Sequence, residues 1–225
     1  AYEMGSTVKG ATLLTGYREG AVTIGATQID EPIVLGENLV KSSIFNRSGR
    51  IRMDDLMALE QSSNVYMFKI AMTMGGLSYY PYIGIASLLR DDTLQRLRNG
   101  YAQVGLGVPT GIDLPGETAG VIGVPDSPGK VLDITIGQFD TYTPLQLVQY
   151  VSTIANGGYR VQPRLLKEIR KPSKDGQTLG PLVKEIEPNI LNHLDNTQVE
   201  IDRVREGFRR VYYGARGTAR SNFAN

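Results

Sequence analysis

The chain has 225 residues, 24 lysines and arginines against 23 aspartates and glutamates, one histidine and no cysteine. That length suits one large domain or two small ones with a real core, and a near-neutral charge gives no electrostatic footprint for nucleic acid. Disulfides and thiolate metal sites are excluded, a His-rich metal centre is excluded, and any Ser-His-Asp triad would depend on His193 alone.

The first helix is predicted over 6–17, from the apolar face of Val8, Ala11 and Leu14, with a stop near Gly16 or Gly20. Residues 21–50 lack a sustained period and read as loop with short strands around Val22–Ile24 and Pro32–Leu35. Asp54 and Asp55 open a short helix through Gln61. Asn64 then reads as the N-cap of a second helix, closed by Gly75 and Gly76.

Residues 78–103 read as two helical pieces with Asp91 or Asp92 as the cap between them. "GLGVPTGIDLPGE" (105–117) is a Gly/Pro-rich loop, and "VLDITIG" (131–137) reads as a short strand or extended segment. Thr143, Pro144 and Gln146 form a strong helix start, and Gly157 and Gly158 a stop. "YRVQPRLLKEI" and "PLVKEIEP" read as a hairpin joined by a turn around Pro172–Gly176. His193 reads as a helix end or turn. Thr197 and Glu200 open a last helix with Ile201, Val204, Phe208 and Val211 on one stripe. Its basic run, "RVREGFRR", reads as a solvated face, and Tyr79, Tyr80 and Tyr82 as packing residues. No apolar run approaches membrane-spanning length, and no signal-peptide pattern opens the chain.

Two Ser-x-x-Lys patterns occur, Ser6/Lys9 and Ser127/Lys130. Such a spacing arises by chance on the order of once in a chain this long. Pro128 and Gly129 make the second copy read as a turn without a shared helical face. In the first copy, i and i+3 share a face, so the Lys9 amine can reach the Ser6 hydroxyl. A cleft and a helix N-terminus would both lower the lysine pKa and give a neutral amine able to take the serine proton. The plainer reading is a helix cap beside a surface lysine. Ser62 and Asn64 lie between two helices and would point to one side of an extended linker. A hydroxyl there can relay a proton, and an amide can orient a peptide. Here too the plainer reading is a cap and a linker.

Ser-x-x-Lys followed by Ser-x-Asn matches two of the three motifs of penicillin-binding proteins and class A β-lactamases. "YEMGSTVKGATLL", "GVPTGIDLPGE" and "ITIGQFDTYTPLQLVQYVSTIANGG" occur in the order found in the family. Together they resemble class B penicillin-binding proteins, the peptidoglycan D,D-transpeptidases, over essentially the whole chain. The resemblance implies an α+β, serine β-lactamase/transpeptidase-like fold, of which 1–225 covers mainly the helical half with a small β hairpin. It implies Ser6 as the acylated nucleophile, Lys9 as its base, Ser62 as the proton relay to the leaving amine and Asn64 as the substrate holder. The Ser6 N–H would form half of an oxyanion hole. Stem peptides ending in D-Ala-D-Ala and β-lactams are the implied ligands, with no metal, cofactor or nucleic acid. The parent would be membrane-anchored at the extracytoplasmic face and would work with cell-wall synthesis partners.

The third motif, Lys-Thr/Ser-Gly, is absent. Gly217-Thr218 in "GARGTAR" has only a faint likeness to it. The family pattern places two strands before the nucleophile and a Lys-Thr-Gly strand after such a Gly-Thr segment. The expectation is a domain truncated at both ends, impaired or inactive as given. A D,D-carboxypeptidase, a β-lactamase and a non-catalytic structural or binding module stay open as alternatives.

Overall fold

Caps and glycine stops divide this chain into helices joined by short, separate pairs of strands. The computed structural model describes residues 1–37, 39–90, 92–173 and 176–223. The chain enters through a 3-10 turn, Gly5–Val8, that runs into α1 (Lys9–Arg18). Strands β1 (Gln28–Asp30), β2 (Ile33–Gly36), β3 (Leu39–Lys41) and β4 (Ile51–Met53) follow. Helices α2 (Asp55–Glu60) and α3 (Asn64–Met74) come next, then α4 (Ser87–Arg90), α5 (Thr93–Gln103), α6 (Pro128–Ile134) and α7 (Pro144–Ala155). Strands β5 (Tyr159–Val161), β6 (Glu168–Arg170), β7 (Leu182–Glu185) and β8 (Ile190–His193) precede α8 (Gln198–Tyr213) and α9 (Arg220–Phe223).

Among the described residues the strands pair two by two and antiparallel: β1 with β4, β2 with β3, β5 with β8, and β6 with β7. The expected α+β class holds, and β6–β7 forms part of the expected hairpin, but its first strand, read over 159–169, is broken: Tyr159–Val161 is β5 and pairs with β8 instead. The other three pairs exceed the single small hairpin read from sequence. Strands of three or four residues carry too little alternation to be seen as a period.

Local signals are accurate where a side chain closes its own turn. Asp54 accepts from the Met57 N–H at the start of α2. Thr143 with Gln146, and Thr197 with Glu200, form complete capping boxes at α7 and α8. α1 runs through Gly16 and stops at Gly20, where the Ala21 and Val22 N–H groups bond the Gly16 carbonyl. Val22–Ile24 is therefore helix exit rather than strand.

Four further readings need correction. Residues 131–137 are largely helical, because Pro128 starts α6 and Val131, Leu132 and Ile134 turn inward. Residues 78–86 are not helical. His193 lies in β8, edge-on to the Tyr159 ring at 4.5 Å between centroids. Tyr79 packs and accepts from the Val34 N–H at 2.9 Å, but Tyr80 and Tyr82 are exposed. Asp92 does stand at the N-cap of α5, as expected, though without a side-chain cap bond; Asp91 lies outside the described residues, as do Lys174 and Asp175 of the expected β6–β7 turn.

α3 is the centre of the core, with Val65, Tyr66, Met67, Phe68, Ile70, Ala71 and Met72 all buried. α1 packs on it and is itself buried from Lys9 to Tyr17. A Cβ at Gly10 would overlap the Phe208 ring and the Tyr150 hydroxyl, so glycine there lets α7 and α8 close on α1. α8 buries Ile201 and Val204 along the expected stripe. Its arginines are all paired: Arg203 with Asp54 and Asp55, Arg205 with Asp202, and Arg209 and Arg210 with Glu206. Among the described residues no helix is long and apolar enough to cross a membrane.

The α2–α8 contact is pinned by Asp55. Its fully buried carboxylate accepts from Arg203, from the Tyr17 hydroxyl at 2.5 Å and from the Gly25 N–H at 2.9 Å. Burial alone would push this carboxyl up, but those bonds more than offset it and hold it below the usual range. Asp55→Ala leaves the Arg203 guanidinium without its main partner and should cost about 3–5 kcal/mol, the usual scale for breaking such a pair. Urea denaturation followed by circular dichroism reads that loss directly.

Candidate active site

The centre of the site is an amine out of water. Lys9 is the first residue of α1 and only 2% exposed. Its Nζ donates to the Ser62 carbonyl at 2.7 Å, to Ser62 Oγ at 2.8 Å and to Asn64 Oδ1 at 2.7 Å. Those three bonds use all three protons of an ammonium. Burial lowers the Lys9 pKa to about 7, and the Asp30 carboxylate opposes that shift. An amine at that poise is neutral in a large share of molecules near pH 7, as a general base must be.

Ser6, Lys9 and Ser62 line one cavity of about 390 Å³, with Phe208 and Thr218 on its other walls. Ser6 is exposed and sits in the 3-10 turn ahead of α1. Among the described residues its Oγ makes no hydrogen bond, so the Ser6–Lys9 contact expected from spacing is not closed here. The turn is held from behind. Gly5, at φ +56°, donates its N–H to the Gly137 carbonyl at 3.0 Å. The Tyr150 hydroxyl donates to the Thr7 carbonyl at 2.9 Å and accepts from the Ala11 N–H at 3.0 Å, so α7 fixes the turn and α1 together.

Ser62 and Asn64 meet the amine by a route different from the one expected. The segment between α2 and α3 is not simply extended, because Ser62 is left-handed at φ 57°. The N-cap of α3 is Ser63, whose Oγ accepts from the Tyr66 N–H at 3.0 Å. Asn64 is thus the first helical residue, not the cap, and its side chain is free to take Lys9. Its Nδ2 donates to the Ser42 carbonyl at 3.1 Å. A left-handed non-glycine residue is uncommon and tends to persist where surrounding contacts over-determine it.

All four residues singled out from sequence therefore converge on one locale, three on the cavity wall and Asn64 behind it on the amine. The second Ser-x-x-Lys copy does not join them. It lies at a helix start rather than in a plain turn, and Lys130 is paired with Asp126 at 2.8 Å. Residues not singled out also belong here. Asp30 and Ser43 lie under the Ser62–Asn64 segment, and Thr218 reaches the cavity from the faint Gly-Thr likeness. Only the last had a signal in the sequence. Among the described residues no group of three His, Asp or Glu side chains is placed to hold a metal ion.

The family model of the penicillin binding protein transpeptidase domain matches residues 1–225. The chain belongs to this family. Penicillin-binding protein H of Bacillus subtilis is 47% identical over 223 residues, covering 99% of this chain and 30% of that protein. A solved structure of penicillin-binding protein 2B from Streptococcus pneumoniae strain 5204 superposes with a TM-score of 0.90 at 32% identity, covering 98% of this chain and 37% of that one. Peptidoglycan D,D-transpeptidase MrdA of Haemophilus influenzae is 26% identical over 238 residues, covering all of this chain and 33% of that protein. The chain thus spans about a third of the length of these relatives, and within that span the α+β transpeptidase-domain fold is established.

Two outcomes test the geometry of this transpeptidase-family site. Lys9 should titrate near pH 7 rather than near its ordinary 10.5, read from its side-chain carbon and nitrogen shifts by NMR. Gly137 is at φ +76°, and a Cβ there would overlap the Gly5 backbone. Gly137→Ala should therefore lower stability by about 1–3 kcal/mol, the scale of backbone strain, and shift the amide resonances of Gly5 and Ser6.

Proposed function

We propose that this chain carries the serine acyl-transfer centre of a peptidoglycan D,D-transpeptidase, with Ser6 as nucleophile, Lys9 as base, Ser62 as proton relay and Asn64 as substrate holder. The observation that carries the reading is Lys9. Its amine is buried, lowered to about 7, held by both Ser62 and Asn64, and shares a cavity with Ser6. Membership of the transpeptidase-domain family supports the same chemistry. As a helix cap beside a surface lysine, the same sequence would leave the amine in water, near 10.5.

In this mechanism neutral Lys9 takes the proton of Ser6 as Oγ attacks the carbonyl between two D-alanines. The C–N bond breaks, and the departing amine of the terminal D-alanine receives a proton passed from Lys9 Nζ through Ser62 Oγ, 2.8 Å away. A neighbouring stem-peptide amine then attacks the acyl-enzyme. Its proton returns through the same pair to Ser6 Oγ as that oxygen leaves. Asn64 Nδ2 keeps one N–H beyond its bond to Ser42, the donor this reading assigns to a substrate carbonyl. The Ser6 N–H, in the first turn where helical donors lack internal partners, suits the developing oxyanion. A β-lactam offers the same carbonyl and stops at the acyl-enzyme. A carboxypeptidase or β-lactamase would share Ser6 and Lys9 and differ in admitting water instead of an amine. The whole protein is proposed to act at the outer face of the bacterial membrane, among other cell-wall synthesis proteins.

Incubation with benzylpenicillin and intact-mass analysis tests this. A single covalent adduct, mapped by peptide analysis to Ser6 and absent in Ser6→Ala, is the expected result. Because the base must be neutral, the acylation rate should fall as pH drops through about 7. A folded protein that never labels, or labels equally without Ser6, would contradict the assignment.

A further inference from the structure

Asp30 is a carboxylate 1% exposed at the end of β1, and among the described residues it has no salt-bridge partner. Its partners are hydroxyls and an amide. Oδ2 accepts from Ser43 Oγ at 2.6 Å and from Ser63 Oγ at 2.5 Å. Oδ1 and the Asp30 carbonyl accept from Asn46 Nδ2 at 2.9 and 2.8 Å. Burying a charge in this way is costly, and packing alone does not require it.

The two serines show what the charge does. A hydroxyl has one proton, and a carboxylate that accepts it fixes where the lone pairs face. With its proton on Asp30, Ser43 Oγ accepts from the Asn64 N–H at 2.9 Å and the Val65 N–H at 3.3 Å. With its proton on Asp30, Ser63 Oγ accepts from the Tyr66 N–H. Three N–H groups in the first turn of α3 are thus satisfied by hydroxyls that one carboxylate has oriented. That turn carries Asn64 and adjoins left-handed Ser62, the two residues that hold the Lys9 amine.

We infer that Asp30 is a positioning residue for this centre, its buried carboxylate orienting Ser43 and Ser63 so that Ser62 and Asn64 stay on Lys9. This rests on the transpeptidase reading above. Asp30 acts through its neighbours and touches no reacting atom. Its charge also faces Lys9 of α1 and Lys69 of α3, whose Nζ donates to the Ile29 carbonyl at 2.7 Å. Glu31 and Arg50 are the other charges acting on Lys69. Asparagine cannot replace the acid quietly. If its oxygen faces the serines, its NH2 meets the Asn46 NH2. If its NH2 faces the serines, both hydroxyl protons must turn toward the α3 N–H groups.

The test compares Asp30→Asn and Ser43→Ala with the unsubstituted protein, reading penicillin acylation at Ser6 against pH and the NMR titration of Lys9. Asp30→Asn should acylate about 10- to 100-fold more slowly at pH 8, the scale of a small misplacement of reacting groups. It should also move the Lys9 midpoint down, because the removed charge favoured the ammonium. Ser43→Ala should slow acylation about 10-fold with the midpoint unmoved. A purely structural role for Asp30 would lower melting temperature, and move the midpoint through the lost charge alone, without slowing acylation at pH 8. Folded Asp30→Asn with an unchanged acylation rate at pH 8 overturns the inference. If Asp30→Asn does not fold, Ser43→Ala decides: slower acylation upholds the inference and an unchanged rate overturns it. If the unsubstituted protein is not acylated at Ser6, the transpeptidase reading fails, and the NMR shifts of Ser62 and Asn64 in Asp30→Asn still decide the positioning: displaced shifts uphold it and unchanged shifts overturn it.

Discussion

The site depends on keeping one lysine amine dry without giving it an adjacent counter-ion. A carboxylate bonded directly to Lys9 would repay part of the desolvation and hold the amine charged. Here the groups on the amine are neutral: a carbonyl, a hydroxyl and a side-chain amide. The acid that feels its charge, Asp30, spends its own hydrogen bonds on Ser43, Ser63 and Asn46. Polar neutral contacts with a remote charge leave the two protonation states close in energy near neutrality. That balance separates the Lys9 amine from a structural ion pair such as Asp55–Arg203, where direct contact keeps both groups charged.

Several elements must meet for this to work, and each is fastened by a specific contact. Tyr150 ties α7 to the 3-10 turn and to α1 through one hydroxyl used both ways. Thr12 of α1 donates to the Thr135 carbonyl at 2.7 Å, holding the end of α6. Gly137 then sits beneath Gly5, so the segment after α6 supports the turn that carries Ser6. The amine and Ser6 belong to one continuous stretch, but the groups that face them come from residues more than fifty positions away. The core residues of α3 convert apolar burial into the placement of its polar first turn.

How much of this was legible depended on range. Capping boxes at Thr143 and Thr197 act within four residues, and the sequence displays them whole. Ser6, Lys9, Ser62 and Asn64 were found because motif spacing preserves distant relationships that composition does not. Asn64 was given the wrong local role, since Ser63 and Asn64 are both good caps and only Ser43 and Asp30 decide between them. The strand pairs β1–β4 and β5–β8 join segments far apart in sequence, and no periodicity shows such closure. Asp30 lacked any signal, because an aspartate before Glu31-Pro32 in an aperiodic stretch reads as solvated loop. Its meaning comes from burial, which is a property of the packed chain.

The end of α2 links the two sides of the cavity. The Glu60 carbonyl accepts from the Thr218 N–H at 3.3 Å, and its carboxylate accepts from the Arg216 N–H at 2.9 Å. Two residues later the chain turns left-handed at Ser62 and reaches Lys9. One short stretch therefore anchors the 214–219 segment that walls the cavity and presents the hydroxyl that faces the amine. Docking of α8 fixes that stretch through Arg203 and Asp55 at the other end of α2. A displacement of α8 would thus be felt at Ser62 through a six-residue helix, and at the cavity wall through Thr218, at the same time. The cavity wall and the hydroxyl on the amine thus hang on the same short helix, which connects the buried pair at Asp55 to a site it never touches.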